Sequence, residues 1–325
     1  MAEPTIVPFG SPDAENRLSD DLFTDTAKKS FFASRFTSES EDFFIQRLPH
    51  PERDTELSIS PDLSMRRPFS GRQRKRRTAQ DIREIARDDL SDYWARYFDE
   101  MNFIYLSGAR GINEDFIEDV AYVGHPANLV QAPDAHHIIY AGAATSKESL
   151  TANDKMTKNL IVRVATKAKM IRAVNPALAN LQPVMIDGSP YLVLLMSPSM
   201  MRDLRTSDPA EWTDIQGAAK GYGNPIFIGA KGMIDNIILH EHRSAIRFND
   251  YGAGGDVAAG RALLLGARAG VMAFGSSNGL RFIWGEEKHD YGNEWTVNTT
   301  VRMGTKKTRF SNTDLGVIAI DCASD

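Results

Sequence analysis

Apolar side chains first fall into a clear rhythm in the second quarter of the chain. Ile82, Ile85, Leu90, Tyr93, Tyr97, Met101 and Ile104 recur at three- to five-residue steps, and Ala86, Trp94, Phe98 and Tyr105 widen the stripe. Thr78 is a good N-cap, Asp81 complements the helix dipole, and Gly108 and Gly111 end the pattern. The spacing predicts a helix of about 28 residues following Thr78, about 40 Å long, whose broad apolar face needs a sheet or a second layer to lie across. A second helix is expected over 150–174, with Ile161, Val164, Ala165, Ala168 and Ile171 on one face and Asn175-Pro176 as its stop. Beyond residue 181 the runs shorten and turn β-like. Asp187-Gly188 separates runs at 183–186 and 191–196 as a hairpin turn. Further strands are expected at 225–228, 233–241, 282–284, 296–303 and 316–320. Short helices are expected at 199–205 and 211–220, and a small-residue helix at 257–274 after the glycine-rich loop 251–255. Helices and strands alternate irregularly, which predicts an α+β fold rather than a doubly wound sheet.

The first 70 residues follow no such rhythm. Residues 1–22 are polar and broken by Pro4, Pro8, Gly10 and Pro12, after which Phe31, Phe32, Phe36, Phe43 and Phe44 arrive among Ser, Glu and Asp. Aromatic anchors on a polar strap predict an arm that docks on another surface; the alternative is a strap folded onto its own domain. Alternation at 57–60 and 63–65 around Pro61-Asp62 predicts a small hairpin.

Composition narrows the function without naming it. The chain has 325 residues, 42% hydrophobic and 25% charged, and a net charge of −5, values of a globular protein and not of a dedicated DNA binder. No stretch approaches the roughly 20 apolar residues of a spanning helix, and no signal peptide is recognised at the N-terminus. With Cys322 as the single thiol, a disulfide framework and a cysteine zinc site are excluded within one chain, and a reducing, cytoplasmic setting is expected.

Candidate chemistry is thin. His240 and His242 would share one face of a strand and could chelate a metal beside Glu241, but no third ligand is fixed by spacing. His136-His137 would point to opposite faces. Glu286, Glu287, His289 and Asp290 form a polar cluster open to an acid/base reading or to a plain charged loop. Neither Gly252-Ala253-Gly254-Gly255 nor Gly304-Thr305-Lys306-Lys307-Thr308 has the spacing of a phosphate cradle. The densest charge is Arg66, Arg67, Arg72, Arg74, Lys75, Arg76 and Arg77. It reads as a phosphate-binding run, as a contact to an acidic neighbouring chain, or as a solvated charge run. A metal-dependent enzyme built on His240/His242 or on Glu286 to Asp290, and a nucleic-acid module built on Arg66 to Arg77, are therefore the rival readings.

Longer motifs carry a resemblance. Phe69-Ser70-Gly71-Arg72-Gln73-Arg74, Asp81-Ile82-Arg83, Phe98-Asp99-Glu100 and Leu106-Ser107-Gly108 come first. Ile186-Asp187-Gly188, Asp203-Leu204-Arg205 and Trp212-Thr213-Asp214-Ile215-Gln216 follow, then Ala262-Leu263-Leu264-Leu265-Gly266-Ala267-Arg268-Ala269, Trp284-Gly285-Glu286-Glu287, Asp290-Tyr291-Gly292-Asn293 and Asp314-Leu315-Gly316-Val317-Ile318. In this order, over residues 20–325, the chain resembles the major capsid proteins of N4-like tailed bacteriophages. The resemblance implies the HK97-like coat fold: an N-terminal arm at 1–50, an E-loop hairpin region at 51–72, a peripheral domain with the spine helix at 73–180, an axial domain at 181–280 and strands at 281–325 returning to the peripheral domain. It implies association rather than catalysis. Pentamers and hexamers would build an icosahedral head around double-stranded DNA bound without sequence specificity. Portal and scaffolding or cement proteins are the implied partners, with assembly in the host cytoplasm, no membrane, no cofactor and no metal. The five phenylalanines of the arm and the seven cations from Arg66 to Arg77 are the expected inter-subunit contacts. One departure is that between Ile45 and Arg72 the family carries a longer segment. Only 57–65 remains for the hairpin, which is either reduced or lacks part of its sequence here.

Overall fold

The computed structural model describes residues 12–40, 42–48, 63–70, 82–207, 209–218, 225–275, 282–289 and 294–324. Its helices are α1 (Pro12–Lys29), α2 (Phe31–Arg35), α3 (Ile82–Ser107), α4 (Lys158–Val174), α5 (Pro198–Ser207) and α6 (Pro209–Ala218). The chain divides into two compact units. One comprises Met1–Ser34, Leu48–Asp99 and Met272–Gly304; the other comprises Arg35–Arg47, Glu100–Val271 and Thr305–Asp325. These cuts fall elsewhere than the expected boundaries at 180 and 280, and Thr305–Asp325 joins the unit that holds Glu100–Val271.

The first unit is helical and aromatic. Helix α3 presents Ala86, Leu90, Trp94 and Phe98 at four-residue steps, all buried. Trp94 packs edge-on to Phe282 at 5.5 Å, Phe98 lies 5.7 Å from Phe274, and Phe23 of α1 meets Phe274 at 5.4 Å. The Trp94 Nε1–H donates to Thr299 Oγ1 at 2.9 Å, so the one polar atom of the largest side chain is satisfied. Beneath them, Phe282–His289, Glu294–Val301 and Leu63–Ser70 form a three-stranded antiparallel sheet in that order. Leu63–Ser70 is an edge strand, where Pro68 needs no ladder donor.

Three expectations are corrected in this unit. Residues 12–35 are helical, not a featureless strap. The buried face of α1 carries Ser19 and Thr26 beside Leu22 and Phe23, so small polar residues occupy core positions and break the apolar count. The buried line of α3 runs through Trp94 and Phe98, while Ile85 is exposed and Tyr93 only half-buried. The strand expected at 63–65 extends to Ser70 and pairs with Glu294–Val301; residues 57–62 and 77–81 lie outside the described residues.

The second unit is built on an eight-stranded mixed sheet. Its spine runs Ile138–Tyr140, Val317–Ala323, Val257–Leu265, Ser189–Met196, Ile237–Glu241, Gly232–Ile234. Helix α4 lays Leu160, Ile161, Val164, Ala165, Ala168 and Ile171 on one face, against Leu194, Leu264 and Ile320. On the other face the end of α3 closes in: the Arg261 guanidinium donates to the Ser107 carbonyl at 2.9 Å. The turn at Asp187-Gly188 forms as expected, with φ of 49° and 79°. Gly108 stops α3 at φ +71°, where a Cβ would sit 2.2 Å from the Gln131 carbonyl oxygen.

The helix expected at 257–274 is instead two strands, Val257–Leu265 and Gly270–Phe274. The first is central and covered on both faces, so its Ala-Leu run shows no alternation and imitates a helix. The second expected helix begins at Lys158, not 150. The Asp154 carboxylate holds Thr151 in a turn at 2.8 Å, and Thr157 supplies the N-cap to Leu160. The strand at 233–241 is broken into a hairpin by Asp235-Asn236, both at positive φ, and Pro225–Phe227 is a 3₁₀ turn. The loop 251–255 joins two antiparallel strands and precedes no helix.

Candidate assembly surfaces

The phenylalanines expected to reach a neighbour mostly belong to this subunit's own core. Phe31, Phe32, Phe36 and Phe44 are buried and Phe43 is half-buried. The Asp99 carboxylate accepts from the Phe31 and Phe32 amides at 2.9 and 3.0 Å and from the Ser30 hydroxyl at 2.7 Å, holding the start of α2. Phe36 meets Phe44 and His240 edge-on, and the carbonyls of Phe43 and Phe44 accept from the amides of Arg268 and Ala269. The strap folded onto its own chain is thus the arrangement observed, because these rings are already desolvated. Of the basic run, Arg66 and Arg67 sit on the edge strand opposite Asn298 and Val297. Arg72, Arg74, Lys75, Arg76 and Arg77 lie outside the described residues.

The polar clusters are engaged in structure. His240 Nε2 lies 2.7 Å from the Ile226 carbonyl, which can only accept, so the proton sits on Nε2. His242 stacks on Phe103 at 5.1 Å and accepts from the Ser244 amide. Burial pulls both imidazoles down to about 4, so both are neutral at pH 7. His137 faces Asp134 at 2.9 Å, while His136 is exposed. Glu286 accepts from Trp284 Nε1. Asp290 lies outside the described residues. Among the described residues no group of three or more His, Cys, Asp or Glu side chains is arranged to hold a metal.

Two buried ionic knots lie in this unit, one of them in its eight-stranded sheet. Asp321 accepts from Arg261 at 2.6 and 2.7 Å and from the Tyr251 hydroxyl at 2.7 Å. Burial works against the Arg261 charge, but Asp321 and Tyr251 together hold its pKa above the ordinary value. Asp314 takes Lys307 at 2.8 Å, and Arg309 at 2.8 Å, beside the Arg309–Phe310 and Thr313–Asp314 hairpin.

Two outer surfaces of this unit went unread in the sequence. The segment 113–123 is an irregular loop held from below. The Glu100 carboxylate accepts from the Ile117 and Glu118 amides at 2.7 and 2.8 Å, and burial raises its pKa despite those bonds. The Arg110 guanidinium donates to the Asn113 and Glu118 carbonyls at 2.7 and 2.6 Å and lies over the Phe116 ring. Outward, the loop and the adjoining hairpin expose Val120, Val123 and Leu129. The second surface is the outer side of α4, where Val162, Met170 and Val174 are exposed. At its C-terminal end Lys167, Met170, Ile171, Val174 and Leu178 line an apolar groove of about 140 Å³. The signal was present in both segments: one has carboxylates and no cations, the other cations and no carboxylates. Among the described residues no helix is long and apolar enough to cross a membrane.

A family model described as phage capsid protein matches residues 65–325. The major capsid protein of Pseudomonas phage KPP25 is 26% identical over 284 residues, 78% of this chain and 71% of its own length. Among solved structures, a chain of the Ralstonia phage GP4 capsid superposes with a TM-score of 0.83 at 41% identity, over 99% of both chains. A chain of the Cyanophage Pam1 capsid gives a TM-score of 0.62 at 18% identity, over 92% of this chain and 93% of its own. The latter likeness speaks for the fold alone.

Proposed function

Since the chain belongs to the phage capsid protein family, we propose that this major capsid protein of HK97-like fold builds an icosahedral head from pentamers and hexamers around double-stranded DNA. The observation that carries the reading is the end-to-end likeness to a phage capsid chain, over 99% of both chains. Its work is association rather than catalysis. Each copy meets neighbours through unlike patches, and such contacts close into rings when the rotation closes. The net charge of −5 suits an inner wall that must not clamp the genome. The aromatic unit with α3 fits the peripheral domain and the sheet unit the axial domain. The cations from Arg66 to Arg77 are assigned to a neighbour's carboxylates, and portal, scaffolding or cement proteins complete the shell in the host cytoplasm. Producing the full chain in bacteria and sedimenting the lysate tests this: rapidly sedimenting closed shells, visible by negative stain, are expected. A chain that stays monomeric, with and without its scaffolding partner, would overturn the reading.

A further inference from the structure

The loop 113–123 and helix α4 are opposite in charge and alike in exposed apolar surface. The loop carries Glu114, Asp115, Glu118 and Asp119 with no Lys or Arg, while α4 carries Lys158, Arg163, Lys167, Lys169 and Arg172 with no Asp or Glu. Val120 and Val123 are 64% and 68% exposed on the loop; Met170 and Val174 are 50% and 83% exposed on the helix. Within one subunit the two lie on opposite sides of the eight-stranded sheet. Helix α4 covers the face that holds Leu264 and Ile320. The loop is tied to Glu100 and Arg110 around the end of α3, on the face that Arg261 addresses.

We propose that these surfaces are the two halves of one contact between copies: the 113–123 loop of one subunit docks on α4 of the next. This rests on the coat reading and says which surfaces a capsomer uses. Opposed charges steer the approach and fix the register, and like-charged pairings of loop with loop or helix with helix are disfavoured. The groove beside Val174, at about 140 Å³, is close to the size of an apolar cavity of about 150 Å³ that takes up a benzene-sized group, so it accommodates one valine side chain from the loop. Because Glu100 and Arg110 hold the loop backbone beforehand, docking loses little chain freedom. The patches differ from each other, so the contact is head-to-tail and repeats around an axis.

The test is a charge exchange in the full chain. E114K/D119K and K169E/R172E alter exposed positions, and K169E also gives up an exposed ion pair to Asp235 at 3.1 Å that contributes little, so each double variant should keep its thermal unfolding transition. Each should lower the yield of sedimenting shells at least tenfold. The quadruple variant carrying all four changes restores the attraction with reversed sign and should regain most of the wild-type yield. Double variants that assemble like wild type, or a folded quadruple variant no better than the doubles, would overturn the docking. A chain with Val120→Cys and Val174→Cys gives a second readout, because Cys322 is buried. Mild oxidation of its assemblies should give a ladder of cross-linked chains, whereas monomers alone would contradict the contact. Wild-type chain that forms no assembly at all overturns the coat reading itself, and the docking with it.

Discussion

The two units solve the same packing problem with different materials. The unit of α1 and α3 is filled mainly by aromatic rings, with Phe23, Trp94, Phe98, Phe274 and Phe282 in one cluster, and its described ion pairs, such as Lys29–Asp92, are exposed or half-buried. The sheet unit is filled by aliphatic side chains and threaded with buried charge and imidazole: Arg261–Asp321, Lys307–Asp314, His240 and His242. Ring packing depends on volume and is nearly indifferent to pH. Buried ions and neutral histidines depend on protonation. Substitution and acid should therefore separate the two units.

The largest effect of any single substitution is expected from Asp321→Ala. It leaves the Arg261 guanidinium buried without its carboxylate, a change that costs about 3–5 kcal/mol. Thermal unfolding should show the sheet unit melting far earlier; an unchanged transition would mean the pair adds nothing.

Acid should come next. His240 and His242 are held neutral to about 4 against an ordinary 6.5, so the unfolded chain binds more protons between those values. Their stabilisation is complete above pH 6.5 and is lost as pH falls toward 4, by up to ~3 kcal/mol each on the scale of 1.36 kcal/mol per unit. Asp134, whose pKa is lowered by its bonds to Asp314 and His137 although burial opposes this, adds a further loss below 3.8. Glu100, raised by burial, works the other way. Amide exchange followed against pH should show the amides of Ser189–Met196 and Val257–Leu265 yielding before those of residues 86–98 in α3; simultaneous loss would contradict the distinction.

Trp94→Phe should cost the aromatic unit about 1–3 kcal/mol, through lost volume and an unpartnered Thr299 hydroxyl, with no change in the acid transition of the sheet unit. Smallest of all, Thr157→Ala removes the N-cap of α4 for about 1 kcal/mol, read as a modest fall in the melting temperature.

The same contrast governs how much could be read beforehand. Helix α3 was legible because its apolar stripe repeats over many turns, and the 184–196 hairpin because Asp187-Gly188 needs the left-handed region. Helix α1 was hidden because Ser19 and Thr26 hold core positions. The strand Val257–Leu265 was misread because burial on both faces erases alternation. The phenylalanines of the arm were expected to reach a neighbour, but nothing in their spacing says whether such rings anchor to the same chain or to the next, and four of the five are buried in their own chain. The exposed valines at 120, 123 and 174 passed unnoticed because exposure is a property of the folded surface, not of the local pattern.

Whether this chain forms the head shell is decided by a single-particle reconstruction of particles assembled from the wild-type chain. Icosahedral shells are expected, with this fold repeated around five- and sixfold positions and the 113–123 loop of each copy seated on α4 of the next. Particles without icosahedral order would contradict that role.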